Sequence, residues 1–323
     1  FENYLPQRFF PVILPISLIA FLKTVSPDTW MNYFVYVNTL FLFISIYFFQ
    51  KAMLSLNINN VVASICIFAL IFSFDYLTWP RYILTDTIFS SLSFLLIYFT
   101  LAIRDINFRK ILIWLICLLL LAITRQNCIP IIAVAIFLLF THNKNLNGKV
   151  MLILFFTLFL TCALIFAVMV TALSSQTDLS HSQQIIEFIN YAKSGVVIHH
   201  RPETYIELSN DIWSYSKLFC YRFFSFFSPY AFGFSTLHIL FNSLIITIYA
   251  LGLIISFWTQ TQMSQMQKQY FIKLNLFIFA IAIFQSSTLI DFDWRYRFPA
   301  IILMVFVGAI SLQSMLNRPN QKP

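Results

Sequence analysis

The sequence predicts an all-α fold: a polytopic transmembrane helical protein with about 9–11 membrane helices and one long exoplasmic loop. Two observations carry this prediction. The chain has 323 residues, of which 60% are hydrophobic and only 10% are charged, whereas soluble domains contain about 25% charged residues. Several uncharged runs also approach or exceed the roughly 17–25 residues that a helix needs to cross a bilayer. The chain is therefore predicted to be an integral membrane protein.

The cysteines and the basic residues argue against two other classes of protein. No CxxC or CxxH spacing occurs, and most cysteines lie within apolar runs, which disfavours a metal cluster. The net charge is +8, but the basic residues lie between apolar runs rather than in one patch. Membrane topology therefore explains them better than nucleic-acid binding. The cysteines are Cys66, Cys117, Cys128, Cys162 and Cys220.

The membrane-helix candidates are apolar runs separated by short polar turns. Segment 9–22 is apolar but short and contains Pro11 and Pro15, which predicts a helix at the membrane surface or half inserted. Residues 111–140 form either one long helix or two short ones, and the polar residues 124–127 in the middle favour two helices with a turn at one face. The clearer candidates are 31–50, 60–77, 87–103, 150–173, 236–257, 270–290 and 298–315.

The distribution of basic residues predicts the orientation. With two helices in 111–140, one side of the membrane receives ten Lys and Arg in short loops and the other receives six. Because Lys and Arg accumulate in short cytoplasmic loops, the first side is predicted to be cytoplasmic. A single span at 111–140 would instead move every later loop to the opposite side. The exoplasmic face then carries three polar turns and a long loop, namely 78–86, 124–127, 289–297 and 174–235.

The first polar turn contains the main candidate site. Asp75, Arg81, Tyr82 and Asp86 lie between two apolar runs, and a carboxylate that opens a membrane helix is costly unless it has a function. A simpler interpretation is helix capping, with Thr85 or Asp86 at the positive end of the helix dipole. Capping needs only one such residue and does not explain the other charges nearby. Asp86 is therefore a candidate catalytic residue, and the other three are candidate substrate-binding residues.

Three arginines in the later turns are further candidates for substrate binding. Arg125, Arg295 and Arg297 each lie beside an apolar run on the predicted exoplasmic face. Their planar guanidinium groups suit phosphate oxygens, and together with Arg81 they would form a phosphate cradle. The alternatives are snorkelling to lipid headgroups or pairing with the acidic residues of the 289–297 turn.

The long loop carries weaker signals. His199, His200 and Arg201 are adjacent in sequence and lack a third ligand at metal-binding spacing, so a solvated loop explains them better than a metal site. Segment 217–234 is dense in Phe and Tyr, which predicts an interfacial belt or a wall for an isoprenoid chain. No HExxH, GxSxG or phosphate-binding Gly-rich loop occurs, which disfavours nucleotide hydrolysis.

Four segments together resemble the polytopic glycosyltransferases of the GT-C fold, in particular protein-mannosyltransferase-like and aminoarabinose-transferase-like membrane enzymes. The resemblance covers most of the chain through short motifs, and it implies a single GT-C-like transmembrane domain over 1–323. The first residue is Phe rather than Met, so the family's first helix and first exoplasmic loop are expected to precede this numbering. The segments are FFPVILPISLIAFL with VSPDTW, DYLTWPRYILTDTIFSSLSFLLIYFTLAIR, ITRQNCIPIIAVAIFLLF, and DFDWRYRFPAIILMVFVGAI.

The resemblance implies a transferase that takes a sugar from a polyprenyl-phosphate carrier. The acceptor would be a lipid, a glycan or a protein, and the site would face the periplasm from a bacterial inner (plasma) membrane. The family's catalytic base lies in the first exoplasmic loop, which leaves only Glu2 as a candidate base here, while Asp86 matches the second acidic position. The departing lipid phosphate is a good leaving group, so a divalent metal is an option rather than a requirement.

Three other classes of membrane protein remain open. A transporter or flippase of lipid-linked sugars would use the same cationic residues, but it should also carry polar residues deep within several spans. An O-antigen polymerase or ligase would make His200 and Arg201 central and Asp86 peripheral. A structural membrane subunit would need none of these charges.

Overall fold

The computed structural model describes residues 13–82, 85–102, 108–140, 212–231, 234–287 and 294–317. Within these ranges the regular secondary structure is entirely helical, which confirms the predicted all-α class. The α-helices are α1 (Ile13–Val25), α2 (Trp30–Ser55), α3 (Asn60–Ile71), α4 (Phe74–Thr78), α5 (Asp86–Ala102), α6 (Phe108–Ala122), α7 (Ile129–Phe140), α8 (Ile212–Phe226), α9 (Thr236–Thr259), α10 (Gln265–Ser286) and α11 (Phe298–Leu316). Short 3₁₀ helices cover Trp79–Arg81, Gln126–Cys128 and Trp294–Arg297.

Four helical segments in the described ranges are long and apolar enough to cross a membrane: Trp30–Ser55, Thr236–Thr259, Gln265–Ser286 and Arg295–Leu316. A fifth candidate is the bent pair Asn60–Ile71 and Phe74–Arg81. The predicted total of about 9–11 membrane helices stays a prediction. The predicted span 150–173 and most of the predicted loop 174–235 lie outside the described residues, and α8 forms within the end of that loop segment.

The predicted span 60–77 is bent, because the chain turns by 61° between α3 and the following helical segment. The two segments together remain a candidate for one broken span. Ser73 lies at the break. Its side chain accepts a hydrogen bond from the backbone N–H of Tyr76 at 3.3 Å and so caps α4. An apolar run alone does not show such a bend, since a serine within it is equally compatible with a straight helix.

The prediction of two short helices over 111–140 is confirmed, because α6 and α7 are separate. Between them lies the 3₁₀ turn Gln126–Cys128. The carbonyl of Ile123, just after α6, accepts a hydrogen bond from the backbone N–H of Leu14 at 3.0 Å. The polar turn is thus fixed by contact with another helix as well as by its own composition.

The chain divides into two compact units. The first comprises Phe1–Asn145, Leu244–Ile278 and Phe298–Pro323, and the second comprises Leu146–Ser243 and Phe279–Arg297. The first unit contains the long buried helix α11 and the helices α1 to α7.

The core of the first unit forms where α2, α5 and α11 pack together. Phe49 of α2 makes edge-to-face ring contacts with Phe94 of α5 and Phe306 of α11, with centroid separations of 6.0 and 5.4 Å. Nearer the start of α2, the Asn38 side chain hydrogen-bonds the backbone of Tyr82, just before α5. Both helices therefore run in the same direction, and the start of α5 lies at the same end of the unit as Asn38.

Side-chain amides hold together the opposite end of this unit. Gln267 donates to the carbonyl of Leu56 at 3.0 Å, and Gln313 accepts from the backbone N–H of Asn59 at 2.7 Å. Asn57, in the turn between Leu56 and Asn59, adopts a positive φ of 56°. Asparagine tolerates this conformation better than most residues do. These bonds tie the α2–α3 turn to α10 and α11, and they leave the candidate site at the other end of the helices.

Candidate functional site

The site is centred on Asp86, the first residue of α5, whose side chain is only 3% exposed. Its Oδ1 forms an ion pair with Nη1 of Arg125, from the turn between α6 and α7. The Arg125 side chain is 18% exposed, so it reaches from the solvent-accessible edge to the buried carboxylate. The structure thus brings together two of the polar turns that the sequence predicted to share one face.

Helix capping alone does not account for this arrangement. Asp86 lies in the first turn of α5, where a negative charge is favourable beside the helix dipole. A surface position would satisfy that requirement without a partner. Here the carboxylate is buried and paired with a guanidinium 39 residues away in sequence, and a buried charge must have such compensation.

The turn before α5 is held in place by buried polar groups. Asp75 is 7% exposed, and its carboxylate accepts a hydrogen bond from the indole Nε1 of Trp79 at 2.8 Å. Asn38 donates to the carbonyls of Pro80 and Tyr82, at 3.3 and 3.1 Å. Asp75, predicted to bind substrate, therefore also orients an aromatic side chain.

Arg81 and Tyr82 are both exposed, unlike Asp86. Arg81 lies at the end of the 3₁₀ helix, and within the described ranges it makes no ion pair with Asp86. The Tyr82 ring lies 5.8 Å from that of Trp79, centroid to centroid. The arginine that compensates Asp86 is thus the distant Arg125, whereas Arg81 and Tyr82 lie exposed in the turn before α5.

Arg297 belongs to the second unit, where it is 3% exposed. It donates from Nη1 to the carbonyls of Phe226, at 3.3 Å, and Ser228, at 2.6 Å. These carbonyls lie at the C-terminal end of α8, where backbone acceptors lack helical partners and a cation is favourable. Arg295 is half-buried in the 3₁₀ turn beside it. The predicted cradle of four arginines includes residues of both units and stays a prediction.

Replacing Arg297 with alanine is expected to destabilise the protein by about 2–3 kcal/mol, because one buried and one part-buried carbonyl lose a charged donor. Thermal unfolding of the detergent-purified protein would measure this loss. Arg297→Lys should keep part of the stability, and Lys217→Ala, which removes an exposed basic residue from α8, should have almost no effect. Unchanged unfolding of Arg297→Ala would show that the guanidinium does not support the end of α8.

Two buried residues near the site were missed by the sequence reasoning. Asn38 and Thr87 are both 0% exposed. Asn38 interrupts the apolar run 31–50, and a polar amide inside a membrane span is itself a signal of function or of a specific contact. Thr87 follows Asp86 directly and gave no separate signal, because a threonine in the first turn of a helix is common.

Other predicted site residues lie outside the described part of the chain, including Glu2 and the pair His200 and Arg201. Within the described part, no three His, Cys, Asp or Glu residues lie close enough together to hold a metal ion. The chain matches no protein-family model, no curated protein and no solved structure. The function must therefore be inferred from the geometry of the site and from the physical character of the helices.

Proposed function

We propose that this protein is an integral membrane glycosyltransferase that transfers a sugar from a polyprenyl-phosphate carrier to a lipid, glycan or protein acceptor. The observation that carries the proposal is the Asp86–Arg125 pair, a buried carboxylate held by a guanidinium where two polar turns meet at one end of apolar helices. The resemblance of the surrounding segments to GT-C enzymes supports the same function. A periplasmic site in a bacterial inner membrane is part of this proposal.

The apolar outer surfaces of the long helices support the membrane location. In the most apolar 18-residue stretch of α2, only 22% is buried inside the protein, and the share is the same in α9. Large apolar side chains instead face outward, including Phe43 of α2, at 62% exposure, and Phe257 of α9, at 85%. Exposed apolar surface on this scale is unfavourable in water and favourable against lipid.

The pair also suits the proposed chemistry. In the transfer step, an acceptor hydroxyl oxygen bonds to the anomeric carbon of the sugar as the bond from that carbon to the phosphate oxygen breaks. The hydroxyl proton passes to a carboxylate base, for which the family resemblance leaves Glu2 as the candidate, and the departing phosphate takes the electron pair of the broken bond and gains negative charge. The Asp86 carboxylate is proposed to accept a hydrogen bond from the acceptor hydroxyl and orient it. Arg125, anchored by Asp86, is proposed to stabilise the phosphate.

The direct test uses membranes that contain the full-length protein, incubated with radiolabelled polyprenyl-phosphate sugars. Transfer of label to an endogenous acceptor, dependent on expression of the protein, is the expected result. Appearance of the intact labelled lipid on the other leaflet without transfer would support a flippase instead. If label is transferred from none of the polyprenyl-phosphate sugars, the proposed glycosyltransferase function is overturned.

A further inference from the structure

Two buried polar atoms beside the candidate site lack hydrogen-bond partners within the described part of the protein: Oδ1 of Asn38 and Oγ1 of Thr87. Both side chains are 0% exposed. Buried polar groups in folded proteins almost always have a partner, so an exception requires an explanation. Thr87 directly follows Asp86, and Asn38 bonds the turn that precedes α5, so the two atoms point to a common cause.

The helical periodicity places both residues in the interface between α2 and α5. Phe49 and Phe94 meet in this interface. Asn38 precedes Phe49 by about three turns, and Thr87 precedes Phe94 by about two turns, so each shares the face of its phenylalanine. Counted back from that ring contact at 1.5 Å per residue, the two residues differ in height by about 6 Å, or roughly one helical turn.

The unpaired atoms have definite hydrogen-bonding requirements. The Asn38 amide donates to the carbonyls of Pro80 and Tyr82, so its remaining Oδ1 can only accept. A threonine within a helix commonly bonds the carbonyl four residues earlier, as Thr100 does with Leu96. Thr87 is the second residue of α5, and its Oγ1 makes no such bond within the described part of the chain. Its hydroxyl can both donate and accept.

We propose that Asn38 and Thr87 bind hydroxyl groups of the transferred sugar, next to the Asp86–Arg125 pair. A sugar hydroxyl that donates to Asn38 Oδ1 satisfies the amide, and a second hydroxyl, or the same one through its lone pairs, satisfies Thr87. An apolar isoprenoid chain satisfies neither atom, and a phosphate, which accepts only, cannot satisfy Asn38 Oδ1. This inference rests on the proposed function and assigns the sugar, rather than the lipid phosphate, to this part of the site.

Thr87→Val tests the proposal, because valine keeps the shape of threonine and removes only its hydroxyl. Without substrate, the variant should unfold at the same temperature as the wild type or at a higher one, since a buried unsatisfied hydroxyl is lost. With substrate, transfer of labelled sugar should fall about tenfold, the size expected for one lost hydrogen bond. The loss should appear mainly in the KM for the polyprenyl-phosphate sugar, whereas inhibition by sugar-free polyprenyl phosphate should not change.

Ser93→Ala is the matched control. Ser93 is also 0% exposed on α5, but its hydroxyl already donates to the carbonyl of Phe89 within the helix. This variant should retain wild-type KM and transfer.

The outcomes distinguish this inference from the proposed function. Transfer by wild type together with an unchanged KM in Thr87→Val would overturn the sugar contact and leave the transferase intact. A lower unfolding temperature for Thr87→Val would also overturn it, because the hydroxyl would then have a structural partner. Absence of transfer by wild type with every donor would overturn both.

Discussion

Exchanging the two members of the buried ion pair is expected to restore the stability that either single substitution removes, but not sugar transfer. Asp86→Asn or Arg125→Leu alone removes one member of the buried ion pair, and each should cost about 3 kcal/mol of stability. The double variant Asp86→Arg/Arg125→Asp re-forms an ion pair and should recover most of that loss. Recovery should be incomplete, since an arginine at the N-terminus of α5 opposes the helix dipole by about 0.3–1 kcal/mol.

Transfer should respond differently from stability. The exchange moves the carboxylate away from the start of α5, so the double variant should stay at least about a hundredfold below wild type if orientation of the acceptor hydroxyl requires Asp86. Thermal unfolding and transfer of labelled sugar would be measured on the same preparations. Asp28→Asn is the control, because Asp28 is an exposed carboxylate in the α1–α2 turn. Near-normal transfer by the double variant would show that the pair is only structural.

Adding a methyl group where α9 crosses α11 is expected to disrupt the first unit. A Cβ on Gly252 would lie 3.0 Å from the Cα of Gly308, which is backbone and cannot rotate away. A Cβ on Gly308 would overlap the side chain of Ile248 and lie 3.1 Å from its carbonyl oxygen. Close approach at small residues is a common way for membrane helices to pack. Each alanine substitution should cost about 1–3 kcal/mol through overpacking.

The two glycine variants should differ in whether they can be rescued. Ile248→Ala removes the side chain that Gly308→Ala would strike, so this pair should recover part of the stability. Gly252→Ala meets backbone and should gain nothing from the same change. Leu251→Ala, on the exposed side of α9, is the control and should be nearly neutral. Equal unfolding temperatures for Gly252→Ala and wild type would contradict the close crossing.

The sequence predicted several local features correctly because their causes are local. The all-α class follows from long apolar runs, and the break between α6 and α7 follows from the polar residues 124–127. The start of α5 at Asp86 follows from an acidic residue placed directly before an apolar run. In each case the hydrophobic pattern and the flanking polar residue are both visible within one stretch of chain.

Other features depended on contacts between distant parts of the chain. Arg81 is the cation nearest to Asp86 in the sequence, whereas Arg125 forms the ion pair because α5 and the α6–α7 turn meet in space. The bend at Ser73 and the carbonyl contacts of Arg297 were likewise not predicted. A side chain's sequence neighbours do not determine which buried group it must compensate.

The sequence by itself determined that this chain forms apolar helices, and that polar turns containing Asp86 and Arg125 separate them. These properties depend on composition and periodicity, which are local. The tertiary structure alone decided that Asp86 pairs with Arg125 and that Asn38 and Thr87 lie buried beside them with unused hydrogen-bonding capacity. The physical reason is that the packing of α2 against α5 removes these groups from water, and only that packing decides which partners remain within reach.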